Sequence, residues 1–319
     1  MVEFLTPLGW LILLAALVPV AAAVIRSRRD ARIRRRIGLP GPGRAGMAAS
    51  IAAPLLAVTL LAAASARPAV QKKGTRHLRT DAQVFFVLDT TRSMLAQRPH
   101  RPSRYGRAVA ATEHLRSALG DIPAGLASLT DRPLPHLFPT GNRRIFTAVL
   151  HRSMGIERPP SEAGRNVFGM ATSFDPLTQL GSNGYFGPET RHRLVILLTD
   201  GESTLYSPTR VARDLRADGV KVLVARFWNA RERVYTSAGK VEPYRPDRSA
   251  LRPLETLAKD TGGGVFEESD LGPLRRAARS WLGRGPTRPV GTPSRLELAP
   301  YLALAAVLPV AFVLRRRDP

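Results

Sequence analysis

Two aspartates, Asp89 and Asp200, each stand where an apolar run stops. Val84-Phe85-Phe86-Val87-Leu88 ends at Asp89 and is followed by hydroxyls at Thr91 and Ser93. Leu194-Val195-Ile196-Leu197-Leu198 ends at Thr199 and Asp200, then turns at Gly201. Two carboxylates with two or three hydroxyls make an all-oxygen donor set, which suits a hard divalent ion, Mg²⁺ or Mn²⁺. One acid at a strand end commonly caps the turn after it. Two such acids, one with spaced hydroxyls beyond it, point instead to metal binding. For them to meet, both runs must be neighbouring strands. Uninterrupted apolar strands are buried on both faces, the habit of a parallel sheet covered by helices, and ligands sit at the carboxyl ends of such strands.

Asp89-Thr90-Thr91-Arg92-Ser93-Met94 resembles the Asp-x-Ser-x-Ser-Met start of a von Willebrand factor A (vWA) domain, with threonine at the first serine position. Leu197-Leu198-Thr199-Asp200-Gly201-Glu202 is similar to the later Asp-Gly turn of that family. The resemblance covers about residues 81–282 and implies an α/β fold, doubly wound around a mostly parallel sheet. It also implies a metal-ion-dependent adhesion site built from Asp89, Thr91, Ser93, a loop threonine and Asp200. Thr172, in Ala171-Thr172-Ser173-Phe174-Asp175, fits the place of that threonine, with Ser173 and Thr147 as rivals. The function this resemblance implies is a metal-dependent protein-binding or scaffolding module rather than an enzyme, with a partner carboxylate completing the Mg²⁺ or Mn²⁺ shell.

Other chemistries fit less well. A strand ending in Asp-x-Thr could present Asp89 as the nucleophile of a Mg²⁺-dependent phosphatase, but the second acidic cluster that such enzymes carry is missing. The six histidines form no His-Glu-x-x-His, which argues against a zinc hydrolase. Gly262-Gly263-Gly264 reads as a helix stop before a strand. Cysteine is absent, which removes disulfides, Cys-ligated zinc and thiol catalysis. The 48 Lys and Arg against 25 Asp and Glu invite a nucleic-acid reading. No basic motif interleaved with aromatics supports it, so no nucleic-acid partner is expected; anionic headgroups or acidic polymers suit the charge better.

The elements that must position these residues alternate as strand and helix. Strands are expected over 83–88, 125–129, 134–138 (at an edge, because Pro133 and Pro135 are tolerated only there), 194–198, 220–227 and 265–266. Helices are expected over 104–119, 143–154, 210–217, 251–259 and 271–282. Val109, Leu115 and Leu119 are the candidate core face of the first helix, and Ile145, Val149 and Leu150 that of the second. Residues 157–169 read as an exposed loop and 228–248 as an insertion.

Outside this domain, three stretches lack charge: Phe4–Ile25, Ala45–Ala66 and Leu298–Leu314. The first two exceed the ~20 apolar residues that span a bilayer, and the third is near the lower limit of ~17. The expected organisation is three transmembrane helices at 1–25, 47–66 and 298–314. Between them lie a basic loop at 26–46, the vWA domain and a Pro/Gly linker at 283–297, with a basic tail at 315–319. Glu3 precedes the first stretch and the arginines Arg26 to Arg36 come after it, the reverse of a signal peptide. Short arginine-dense loops stay cytoplasmic, which places the vWA domain outside the cell membrane of a multi-pass protein. Two spans before a vWA domain and one after it resemble the bacterial Bat (aerotolerance-type) proteins, a resemblance that implies membrane-complex partners and an association with MoxR-type AAA+ ATPases.

Overall fold

The computed structural model describes residues 2–15, 44–158, 172–236 and 238–315, with isolated positions 21, 24, 25, 28, 29, 32 and 33. Most of the expected 157–169 loop and the 316–319 tail lie outside these. The described chain divides into two compact units, one of residues 76–290 and one of residues 1–75 with 291–319.

The first unit holds a six-stranded sheet. Its strands are β1 (Ala82–Asp89), β2 (Ala124–Leu129), β3 (Pro133–Thr140), β4 (His192–Thr199), β5 (Val220–Arg226) and β6 (Gly264–Glu267). They lie in the order β3-β2-β1-β4-β5-β6. All neighbours are parallel except β2–β3, which is antiparallel at the edge. The prolines explain that edge: Pro133, Pro135 and Pro139 lack the N–H that a central strand must donate on both sides.

Side chains of β1 alternate between two cores, as a period of two requires. Val84, Phe86 and Leu88 pack with Ala108, Leu115 and Phe146 on one face, and Phe85 and Val87 with Phe174, Val211 and Leu215 on the other. All five are fully buried, and each contributes roughly 1.5–3 kcal/mol relative to exposure. Gly125 on β2 is required by this packing, because a Cβ there would lie 2.5 Å from the Phe85 ring.

Helices α1 (Arg104–Ala118), α2 (Arg143–Arg152), α3 (Pro208–Ala217), α4 (Leu251–Asp260) and α5 (Gly272–Leu282) cover the two faces. Ser103 caps α1 by accepting from Gly106 N, and Asn142 caps α2 by accepting from Arg144 N and Ile145 N. Two details differ from the sequence reading. On α1 and just past it, Leu115 and Leu119 are in the core as read and Val109 packs against it half-buried, but Ala108 and Thr112 join them. On α2 Leu150 is in the core and Val149 packs against it, while Phe146 takes the place expected of Ile145, which is exposed.

In the second unit the apolar stretches take mixed forms. Residues 2–15 form a short strand (Val2–Phe4), a 3-10 turn (Pro7–Leu11) and one helical turn (Ile12–Ala15). The later two are helical, Arg44–Ser65 with Pro54 inside and Ala299–Arg315 with Pro309 inside. Among the described residues no helix is long and apolar enough to cross a membrane, so the three expected spans are not seen as such. The stretch read as a Pro/Gly linker is mostly extended: Thr287–Glu297 is a strand, in one sheet with Pro68–Arg79 and Val2–Phe4. Its prolines are compatible with a strand that has a free edge.

Candidate metal centre

The parallel pairing of β1 with β4 sets Leu88 beside Leu198, so Asp89 and the Thr199–Asp200 pair leave the sheet side by side. Asp89 is fully buried and all its bonds are local to this edge. Its Oδ1 accepts from Thr91 N at 3.0 Å and from the Thr91 hydroxyl at 2.6 Å; its Oδ2 accepts from the Thr199 hydroxyl at 2.6 Å. The Ser93 hydroxyl lies 3.2 Å from that of Thr91. Thr91 gives its only proton to Asp89, which leaves its lone pairs for an electrophile.

On the neighbouring loop, Asp200 Oδ1 accepts from Glu202 N at 2.9 Å, and Thr199 Oγ1 accepts from Gly201 N at 3.0 Å. The turn needs Gly201, whose φ is +90°. Thr172 is buried, and its carbonyl accepts from Thr204 N at 2.9 Å; Ser173 N donates to Thr130 O at the end of β2. Both residues are therefore held between the loops after β2 and β4. Thr147 is not brought here. It is exposed on α2, in a cavity of 520 Å³ lined by Arg143, Arg144, Ala148, His151 and Arg152.

Sequence reasoning missed the residue at the centre of this edge. Arg104, the first residue of α1, has a fully buried guanidinium. Nη1 donates to Asp200 Oδ2 at 2.7 Å and to the Tyr244 hydroxyl at 2.8 Å; Nε donates to Glu232 Oε2 at 2.7 Å. Glu202 Oε1 lies 3.5 Å from Nη1 and accepts from the Tyr244 hydroxyl and Asp247 N. Burial alone would lower the proton affinity of Arg104, yet Asp200, Tyr244, Glu232 and Glu202 reverse that and hold it above the usual arginine value. The one sequence signal was an arginine at a helix amino terminus, where the helix dipole opposes it; such a cation needs acids close by.

Negative charge is nonetheless in excess. Burial, and then the Asp200 charge, pushes the carboxyls of Asp89 and Glu202 upward from their ordinary range. Glu202 Oε2 and Arg104 Nη2 are buried without a hydrogen-bond partner. Among the described residues no group of three or more His, Cys, Asp or Glu is arranged to hold a metal, so an ion here would depend on hydroxyl ligands. The donor set fits one: hard oxygens, lone pairs directed away from the acids, and a local deficit of positive charge.

No family profile and no curated protein sequence matches the chain. Among solved structures, an aerotolerance-related membrane protein from Bacteroides fragilis, carrying multiple mutations to serines, superposes with a TM-score of 0.50 at 18% identity, over 63% of this chain and 98% of that one. BatB from Bacteroides thetaiotaomicron does so with a TM-score of 0.50 at 19% identity, over 63% and 98%. The fold is the one seen in these two aerotolerance-type structures. The SpRpn10 VWA domain matches more loosely, with a TM-score of 0.41 at 10% identity over 59% of this chain and 88% of its own. Asp89 and Asp200 stand at the carboxyl ends of adjacent parallel strands of this mostly parallel sheet.

Proposed function

We propose that the chain is a membrane-anchored vWA protein whose domain binds a protein partner through a Mg²⁺ or Mn²⁺ ion, without catalysis. The observation that carries this reading is the convergence of Asp89, Thr91 and Ser93 with Asp200 at the ends of adjacent parallel strands. Thr91, Ser93 and Thr172 would hold the ion, with Asp89 and Asp200 behind them. Bound there, the ion would supply a Lewis-acidic position for a carboxylate of the partner. The residues' own work is to orient and insulate: Asp89 fixes the Thr91 hydroxyl, Thr199 fixes Asp89, and Arg104 fixes Asp200. A phosphatase is a weaker reading, because both Asp89 oxygens are already engaged and the carboxylate is buried.

Membrane attachment rests on the apolar stretches flanking the domain and on the membrane-protein description of the B. fragilis structure. The arginine-rich 26–46 segment, as the cytoplasmic loop, leaves the domain outside, and only that loop and the tail could then meet a MoxR-type ATPase. Calorimetric titration of the full-length chain with Mg²⁺, compared with Asp89→Ala, tests the site. Wild type is expected to bind one ion with modest affinity, since Mg²⁺ keeps several waters. An equal response in the two proteins sinks the assignment. Protease shaving of intact cells tests the topology, and protection of the domain there would reverse it.

A further inference from the structure

The insertion between β5 and α4, residues 228–248, is a strap fastened to the metal loops, and it sorts its charges by direction. Its backbone pairs with the chain just beyond Ser93: Gln97 N donates to Arg233 O at 2.9 Å, and Arg233 N to Gln97 O at 3.0 Å. Two of its three acids turn inward. Glu232 is buried on Arg104 and Arg107, and Glu242 pairs with Arg92, the residue between the Thr91 and Ser93 hydroxyls. Asp247 is exposed, but both its oxygens accept from the Ser249 hydroxyl. Tyr244 and the Asp247 amide lie on Glu202, directly over the Asp200 loop.

The strap's bases face the other way. Arg231, Lys240, Arg245 and Arg248 are exposed, as are Arg98 and Arg101 in the turn paired with the strap. None of these six has an acidic partner among the described residues, although the strap and the loop after β4 contain five ion-paired or hydrogen-bonded acids. Fixed cations crowd one side of a recessed site whose hydroxyls are almost wholly buried, and they repel one another unless something negative is brought to them. Leu205, in the loop after Asp200, is fully exposed.

We propose that this basic rim selects the partner: an acidic polypeptide segment that carries several carboxylates, one for the recessed site and the others for the arginines around it. Guanidinium groups take carboxylates in a planar, bidentate way that compact ammonium ions do not, and all but one of the six cations are arginines. An extended segment can lower one side chain into a recess, whereas a bilayer presents a flat face. The proposal rests on the protein-binding reading above, and adds which chemistry the partner has.

The test uses fluorescence anisotropy of a labelled oligoglutamate peptide with the full-length chain in Mg²⁺. Three rim variants in one protein, Arg98→Glu, Arg101→Glu and Arg245→Glu, are expected to weaken binding roughly ten-fold at low salt. The matching glutamine triple should fall between that protein and wild type. A control triple at the opposite end of the sheet, Arg144→Glu, Arg216→Glu and Arg284→Glu, carries the same change in net charge and should stay within about two-fold of wild type. Equal loss in rim and control proteins means attraction to bulk charge, and overturns the rim. No peptide binding by a wild type that does bind Mg²⁺ overturns it too, and leaves the metal reading standing. If Asp89→Ala binds peptide as wild type does while the rim triple does not, the rim stands and the metal reading fails. If phosphatidylserine vesicles displace the peptide with the same dependence on the rim, the partner is a lipid surface and the polypeptide proposal is wrong.

Discussion

Two buried arginines sit at opposite ends of the same sheet, and they are partnered differently. Arg79, at the amino end, uses every nitrogen: Nε on Asp81 at 2.9 Å, Nη1 on Gly283 O at 2.7 Å and Nη2 on Leu282 O at 3.0 Å. Its hydrogen bond holds the Asp81 carboxyl below the usual range. Arg104, at the carboxyl end, faces three acids and still leaves Nη2 unpaired, while Asp89 and Glu202 are pushed upward. The first is a finished structural joint, with charge and hydrogen bonds matched. At the second, groups are held at a cost that only an added cation or partner would offset.

The contrast gives four measurements. Arg104→Leu should have the largest effect, about 3–5 kcal/mol in a denaturant titration, because it strands Asp200, Glu202 and Glu232 in the interior. A loss below that of Arg79→Ala would break the comparison. Next, Mg²⁺ at a hundredfold excess over its Kd should stabilise the wild-type domain by about 2.7 kcal/mol, read as a rise in melting temperature that EDTA reverses. Asp89→Ala should abolish that rise, and Arg79→Ala should leave it intact.

Arg79→Ala itself should cost about 2 kcal/mol, the scale of a hydrogen bond made by a charged group. The smallest effect concerns acid. A carboxyl whose folded pKa is lowered stabilises the fold above its unfolded value of about 3.9, and that contribution fades as pH falls through the folded value. Asp81→Asn should therefore lower stability by a constant amount near neutrality, with no change of slope there, and flatten the profile below pH about 4. A change of slope at neutral pH would show that the amino-end joint is not the closed unit described.

What the sequence made legible was local. Asp89 with Thr91 and Ser93, and Thr199 with Asp200, are read from a few adjacent residues, and the apolar runs before them announce a two-sided sheet. The prolines around β3 likewise announced an edge strand. Arg104 was out of reach because its acids lie far along the chain, in the β4 loop and in the strap, and only the closed fold brings them together. The strap itself has no periodicity to read; it is held by isolated backbone bridges and side-chain ion pairs rather than by a continuous ladder. The 283–297 segment misled for the opposite reason, since its prolines and glycines are as compatible with a free-edged strand as with an irregular tether. Thr147 was a hydroxyl at a permissible distance in sequence, on a helix that points it to solvent.

The joint at Arg79 also decides how the domain would carry tension. Thr80 N donates to Pro286 O at 3.1 Å, and Arg79 spans to Gly283 and Leu282, so the chain enters and leaves the domain at one tied point. A pull on both ends would load those few bonds first. β1 runs eight residues from there, about 25 Å, before it reaches Asp89, which keeps the metal loops off the path of the force. A ligand at the carboxyl edge would thus be pulled against the two chain ends while that edge keeps its shape.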